Sequence, residues 1–123
     1  MSDELTIASR LAVDNVNLQE SDQDGDQLID QALAAGPVPG MVIATTTEAA
    51  ISVVGLTTLG WAKFKNLDLT NYVTIGLVPI ATYVPFARLK PGEHFTIRLE
   101  PGVTYYIKAN TASCKVQCKI YND

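Results

Sequence analysis

Three alternate aspartates are the residues best placed, by type and spacing, to do chemistry. Asp22, Asp24 and Asp26 stand in the run Asp22-Gln23-Asp24-Gly25-Asp26-Gln27-Leu28-Ile29-Asp30. Calcium takes about six to eight oxygens, and alternate carboxylates on a curled backbone supply them. The run fills the first, third and fifth ligand positions of an EF-hand loop, with Ile29 at the apolar eighth. The sixth position is Gln27, where the sharp turn needs glycine, and the twelfth is Leu33, where a bidentate glutamate is needed. The run therefore reads as a solvated acidic loop. Asp22, Asp24 and Asp26 are the metal candidates, and no metal or other cofactor is assigned.

Cys114 and Cys118 lie four apart on an expected strand, so both point to one face, roughly 13 Å from each other. A disulfide needs Cα atoms within about 7 Å, which excludes a mutual bridge and predicts buried free thiols. His94 is the sole histidine and follows a Pro-Gly turn. No Gly-x-Ser-x-Gly elbow and no glycine-rich phosphate loop opening a helix is present. The expectation is a protein without catalytic residues. Trp61, Tyr83, Tyr105 and Tyr106 are the candidate interaction residues. Tyr105 and Tyr106 are adjacent on an expected strand, so they must face opposite sides, and one of them faces away from its own core.

Charge is unevenly spread. Residues 1–36 hold eight acids and one base, for a net of −7, while residues 37–123 hold five acids and eight bases, for a net of +3. The acidic front repels phosphate, so nucleic acid is not an expected partner. The two parts can attract one another, within a chain or between neighbouring chains. No apolar run of transmembrane length occurs, which excludes a membrane-spanning helix. The opening MSDELTIASR is acidic and lacks the basic and apolar regions of a signal peptide, which predicts synthesis and folding in a cytosol.

The elements that must position these residues are strands. Leu5, Ile7, Leu11 and Val13 alternate with more polar neighbours and predict a strand over residues 4–13. Residues 14–40 are polar, acidic and then punctuated by Gly and Pro, with no clear period, although Leu28, Ile29, Ala32 and Leu33 fit a turn or two of helix. They read as a long connection or arm, so the chain divides into residues 1–40 and a body over 41–123. In the body, runs rich in Val, Ile, Thr, Tyr and Phe recur at 41–47, 51–56, 60–67, 72–78, 82–88, 94–99, 103–109 and 114–121. Arg88-Leu89-Lys90-Pro91-Gly92 and Arg98-Leu99-Glu100-Pro101-Gly102 repeat one turn device, with Pro presetting φ and Gly supplying the positive φ after it. The expected fold is an all-β antiparallel sandwich, jelly-roll-like.

From Gly60 to Ile120 the chain resembles small virion structural proteins of tailed bacteriophages. The matching pieces are Gly60-Trp61-Ala62, Lys65-Asn66-Leu67-Asp68, Thr70-Asn71-Tyr72-Val73, Ile75-Gly76 and Val84-Pro85-Phe86. They continue through Arg88-Leu89-Lys90-Pro91-Gly92-Glu93, Arg98-Leu99 and Tyr106-Ile107-Lys108-Ala109-Asn110-Thr111-Ala112. The resemblance implies a non-enzymatic protein of the virion that coats or joins part of a phage particle. Its expected partners are copies of itself, in a homo-oligomer with a trimer favoured, and major capsid or tail proteins. Capsid decoration is the leading expectation. The other is a carbohydrate- or receptor-binding β-sandwich module of a phage tail, stabilised by calcium if the three aspartates converge, with Trp61, Tyr83, Tyr105 and Tyr106 as stacking platforms.

Overall fold

A computed structural model describes residues 5–29 and 35–123 of the chain. Alternation of apolar and polar residues, the simplest signal for a pleated strand, gives strand β1 over Leu5–Asn15. The chain then reverses through Val16-Asn17, where the Asn15 carboxamide oxygen accepts the Asn17 amide at 3.4 Å, and returns antiparallel as β2, Leu18–Ile29. Residues 18–29 of the expected loop over residues 14–40 are thus a second strand. β2 has acids and amides on both faces and is exposed along nearly its whole length, so no apolar alternation announces it. Its order comes from backbone pairing with β1. Leu28 and Ile29 belong to this strand, and the rest of the possible helical turn, Ala32 and Leu33, lies outside the described residues.

The chain separates into two compact units, Met1–Leu33 and Ala34–Asp123. The division falls earlier than residue 40 because residues 38–40 already pair with the last strand of the body. The body holds eight strands: β3 (Val38–Ala44), β4 (Ala49–Ala50), β5 (Leu59–Asn66), β6 (Val73–Leu77), β7 (Val84–Leu89), β8 (His94–Arg98), β9 (Tyr106–Ala109) and β10 (Cys114–Asn122). Seven of the eight expected runs overlap these strands. The eighth, 51–56, is irregular: β4 lies just before it, and Ile51 continues the edge with one amide bond to the Tyr105 carbonyl at 2.8 Å. Both Pro-Gly devices form turns with positive φ at Gly92 (81°) and Gly102 (79°).

Two antiparallel four-stranded sheets result, ordered β3-β10-β5-β8 and β4-β9-β6-β7. The pairing is nested. The first body strand pairs with the last, the second with the second-last, the third with the sixth and the fourth with the fifth. The inner faces of both sheets feed one core. Phe64, Val116, Cys118 and Ile120 come from one sheet and Val73, Ile75, Ile107 and Ala109 from the other, all essentially inaccessible to solvent. This is an all-β fold with two facing sheets, consistent with a sandwich. Phe64 stacks on Phe95 of the neighbouring strand with centroids 5.2 Å apart, which adds to a burial worth roughly 1.5–3 kcal/mol for a ring of this size.

Two buried asparagines tie the loops to this core. Asn66, at the end of β5, donates from Nδ2 to the carbonyls of Asn71 (2.9 Å) and Leu89 (3.0 Å), and its Oδ1 accepts the Asp68 amide (2.9 Å). Asn122, near the chain's end, accepts the Thr57 and Thr58 amides at 2.9 and 3.1 Å. Asp68 closes the turn that Asn66 opens, taking the Asn71 amide at 2.7 Å and the Thr70 amide at 3.0 Å. Those bonds, Asn71 first, hold its carboxyl below the ordinary carboxylate range.

Candidate functional site

Asp22, Asp24 and Asp26 lie on β2, an extended strand, not on a curled loop. Alternate residues of a strand are about 6.8 Å apart, whereas calcium ligands crowd within about 2.6 Å of the ion. The pairing also slips by one residue here: Ser9 faces Asp24 and Ile7 faces Gln27, so Gly25 and Asp26 together oppose Ala8. That bulge takes Asp26 out of strict alternation with Asp22 and Asp24. Among the described residues, no group of three or more His, Cys, Asp or Glu side chains gathers as a metal site.

The two thiols sit where the strand period puts them, on the inward face of β10, buried and unpaired with each other. Burial pushes the Cys118 thiol up to about 12. Burial, and secondarily the Asp68 carboxylate, raises Cys114 as well. Neither is a nucleophile at neutral pH. His94 is exposed on the edge strand β8, facing Lys65 across the ladder.

The four aromatic candidates do not form one surface. Tyr105 is buried. Its hydroxyl accepts the Glu100 amide at 2.9 Å, pinning the second Pro-Gly turn to the core, and its ring meets the edge of Phe86 at 6.3 Å. Tyr106, its neighbour, is half-buried on β9. Tyr83 lies over Gly76, where a Cβ would meet the Val84 carbonyl oxygen at 2.5 Å and the Tyr83 ring at 2.8 Å, so the backbone approach requires glycine. Its hydroxyl shares a 2.8 Å hydrogen bond with Thr74, and burial first, then the Glu48 carboxylate, raises its pKa against that bond. The Lys108 ammonium stands 5.9 Å from the ring centre of Tyr83. Trp61 is half-buried under Arg98, whose guanidinium carbon is 5.6 Å from the ring centre and which also pairs with Asp123 at 2.8 Å.

The most distinctive surface is basic rather than aromatic. Along β5, Ala62, Phe64 and Asn66 are buried, so Trp61, Lys63 and Lys65 face outward. Along β10, Val116, Cys118 and Ile120 are buried, so Lys115, Gln117 and Lys119 face outward. The register sets Lys63 directly opposite Lys119, and Lys65 opposite Gln117 on one side and His94 on the other. Arg98 completes the face on β8. Five of the eight basic residues of the body thus share one sheet face. Like charges directly across a ladder repel, and the four lysines make no ion pair among the described residues. Flanking them on β3, Met41 and Ile43 remain 49% and 55% exposed, with Ile43 opposite Lys115 and Met41 opposite Gln117. Lysines two apart at 63 and 65, and four apart at 115 and 119, are the strand-period signal that marks this face in the sequence.

Compared with known proteins, the chain matches no family model, no curated protein and no solved structure.

Proposed function

We propose that this chain is a non-enzymatic structural protein of a bacteriophage virion, a capsid decoration or cement subunit that bridges neighbouring subunits of the head. It is made in the host cytoplasm and works as a homo-oligomer, a trimer being favoured, against major capsid or tail proteins. The observation that carries this reading is the nested pairing of the eight body strands. A long antiparallel ribbon that pairs first with last and folds into two four-stranded sheets is how a jelly roll is built, and jelly rolls serve as capsid and lectin domains. The resemblance over Gly60–Ile120 supports a virion role rather than a lectin, with capsid decoration as its leading form.

The pieces that carry the resemblance have physical tasks that suit a rigid block. Asn66 and Asp68 lock a turn, Gly76 admits Tyr83, and the Pro-Gly devices fix the strand ends. The other reading, a carbohydrate- or receptor-binding module, needs open, paired rings. Tyr105 is buried, and cations already lie by Tyr83 and Trp61.

Immunogold labelling of the particles made by the encoding phage, with antibody raised to the purified chain, tests the reading. Label on heads is expected. Label on tails moves the subunit to the tail, and particles free of label refute the virion role.

A further inference from the structure

We propose that the acidic β1–β2 hairpin of one copy docks face to face on the basic outer face of the β3-β10-β5-β8 sheet of a second copy. The inference deepens the assembly reading above and rests on it, by naming the two surfaces through which copies join.

The argument starts from register. On one face of the hairpin, β1 presents Leu11 and Val13, and the residues directly opposite on β2 are Asp22 and Glu20. Asp24, opposite Ser9, extends the acidic row. This face therefore carries two parallel stripes, one apolar and one acidic, a single interstrand step of about 4.8 Å apart. Leu11 is 68% exposed, and Glu20, Asp22 and Asp24 are exposed. A two-stranded hairpin is marginally stable in water without a covering partner, so this face calls for one.

The outer face of the body sheet carries the matching pattern. Met41 and Ile43 form an exposed apolar stripe on β3, and one interstrand step away Lys115 and Lys119 form a basic stripe on β10. Glu20 and Asp24 are four residues apart, and so are Lys115 and Lys119, a spacing of about 13.5 Å on either strand. Laid strand along strand, Leu11 and Val13 cover Met41 and Ile43 while the acidic row lies along β10. Lys63 and Lys65 of β5 flank it on the far side. Docking brings carboxylates to the Lys63–Lys119 pair, which faces only its own like charge in the isolated body. The occupant is a second copy because this chain carries both the stripe order and the opposite charge.

A charge swap tests this. One variant reverses the hairpin (E20K, D22K and D24K) and another reverses the sheet face (K63E, K65E and K119E). All six positions lie at the surface, so both variants should keep the wild-type circular dichroism spectrum. Light scattering behind a sizing column, at about 50 mM salt, should show an oligomer for wild type and monomers for each variant alone. Mixing the two variants should restore association, because each then offers the other a complementary pair of surfaces. Raising the salt to about 500 mM should weaken wild-type association at least tenfold. An oligomer that survives both swaps and high salt overturns these surfaces while leaving the assembly reading intact. A wild-type chain that stays monomeric at low salt also overturns the docking, whether or not the face then takes up a polyanion, and the particle-labelling result then stands separately for the virion role.

Discussion

Replacing Asn66 by aspartate changes one atom and should unfold much of the protein's margin of stability at neutral pH. In the wild type, Nδ2 supplies both protons that the buried carbonyls of Asn71 and Leu89 accept, at 2.9 and 3.0 Å. A carboxylate there would set an anionic oxygen against two carbonyl oxygens. The folded variant escapes by keeping its proton, which serves one carbonyl and leaves the other without a donor, a loss of about 1–3 kcal/mol. Holding a proton at pH 7 on a group whose unfolded pKa is about 3.9 costs about 1.36 kcal/mol per pH unit, or roughly 4 kcal/mol. The expected deficit relative to wild type is thus about 1–3 kcal/mol near pH 4 and about 5–7 kcal/mol at pH 7, against a total of roughly 5–15 kcal/mol for a domain. The sign follows from the folded pKa being raised: the proton is free to hold below the unfolded value, and stability falls as pH rises above it. Urea denaturation of both proteins at each pH, read as midpoint at constant slope, measures the difference. A deficit below about 1 kcal/mol at pH 7, or one equal at the two pH values, would falsify the account of Asn66 as the donor that joins the two loops.

Five further outcomes follow from the structure. Asp68 has a lowered pKa, so its contribution is present above the unfolded value near 3.8 and is lost as pH falls through the folded one; Asp68→Asn should flatten the acid limb of the stability curve. Cys118, raised to about 12, contributes below the unfolded thiol value of about 8.5 and loses that contribution as pH climbs towards 12. Neither thiol should react with a disulfide reagent at neutral pH until the protein is unfolded, and rapid labelling of the native chain would contradict their burial. Gly76→Ala should cost about 1–3 kcal/mol, towards the upper end because the Val84 and Pro85 backbone must move, and a thermal melt would show it as a drop of several degrees. Lys63→Glu, opposite Lys119, should raise the stability of the folded chain by about 0.5 kcal/mol while removing association, two effects that urea titration and light scattering read separately.

The strands of the body were legible because burial writes itself into sequence. Val73-Thr74-Ile75 and Cys114 to Ile120 alternate because one side of each strand meets the core. The thiols were placed by that same period, and the turns by Pro91-Gly92 and Pro101-Gly102. β2 was missed for the converse reason. Its strand order is held by backbone bonds to β1, and a strand exposed on both faces has no apolar partner to impose alternation on Gln19–Gln27. The aromatic candidates part company for a related reason, since Tyr105 is chosen by the core and its hydroxyl is satisfied within its own turn. The lysine face needed register as well as period. Nothing in the chain order of Lys63 and Lys119 reveals that they stand side by side until β5 and β10 are paired.

The nested pairing also dictates an order of events at the ribosome. Among the described strands β10 is the last to be synthesised, yet it lies inside its sheet, between β3 and β5. Until it emerges, those two strands each lack a neighbour, Cys114, Val116, Cys118 and Ile120 are missing from the core, and Asn122 cannot bind the Thr57–Thr58 turn. A nascent chain therefore has no finished basic face to offer, since Lys115 and Lys119 arrive with the closing strand. Closure of the fold therefore waits on β10, and fragments released before that strand cannot hold the body together.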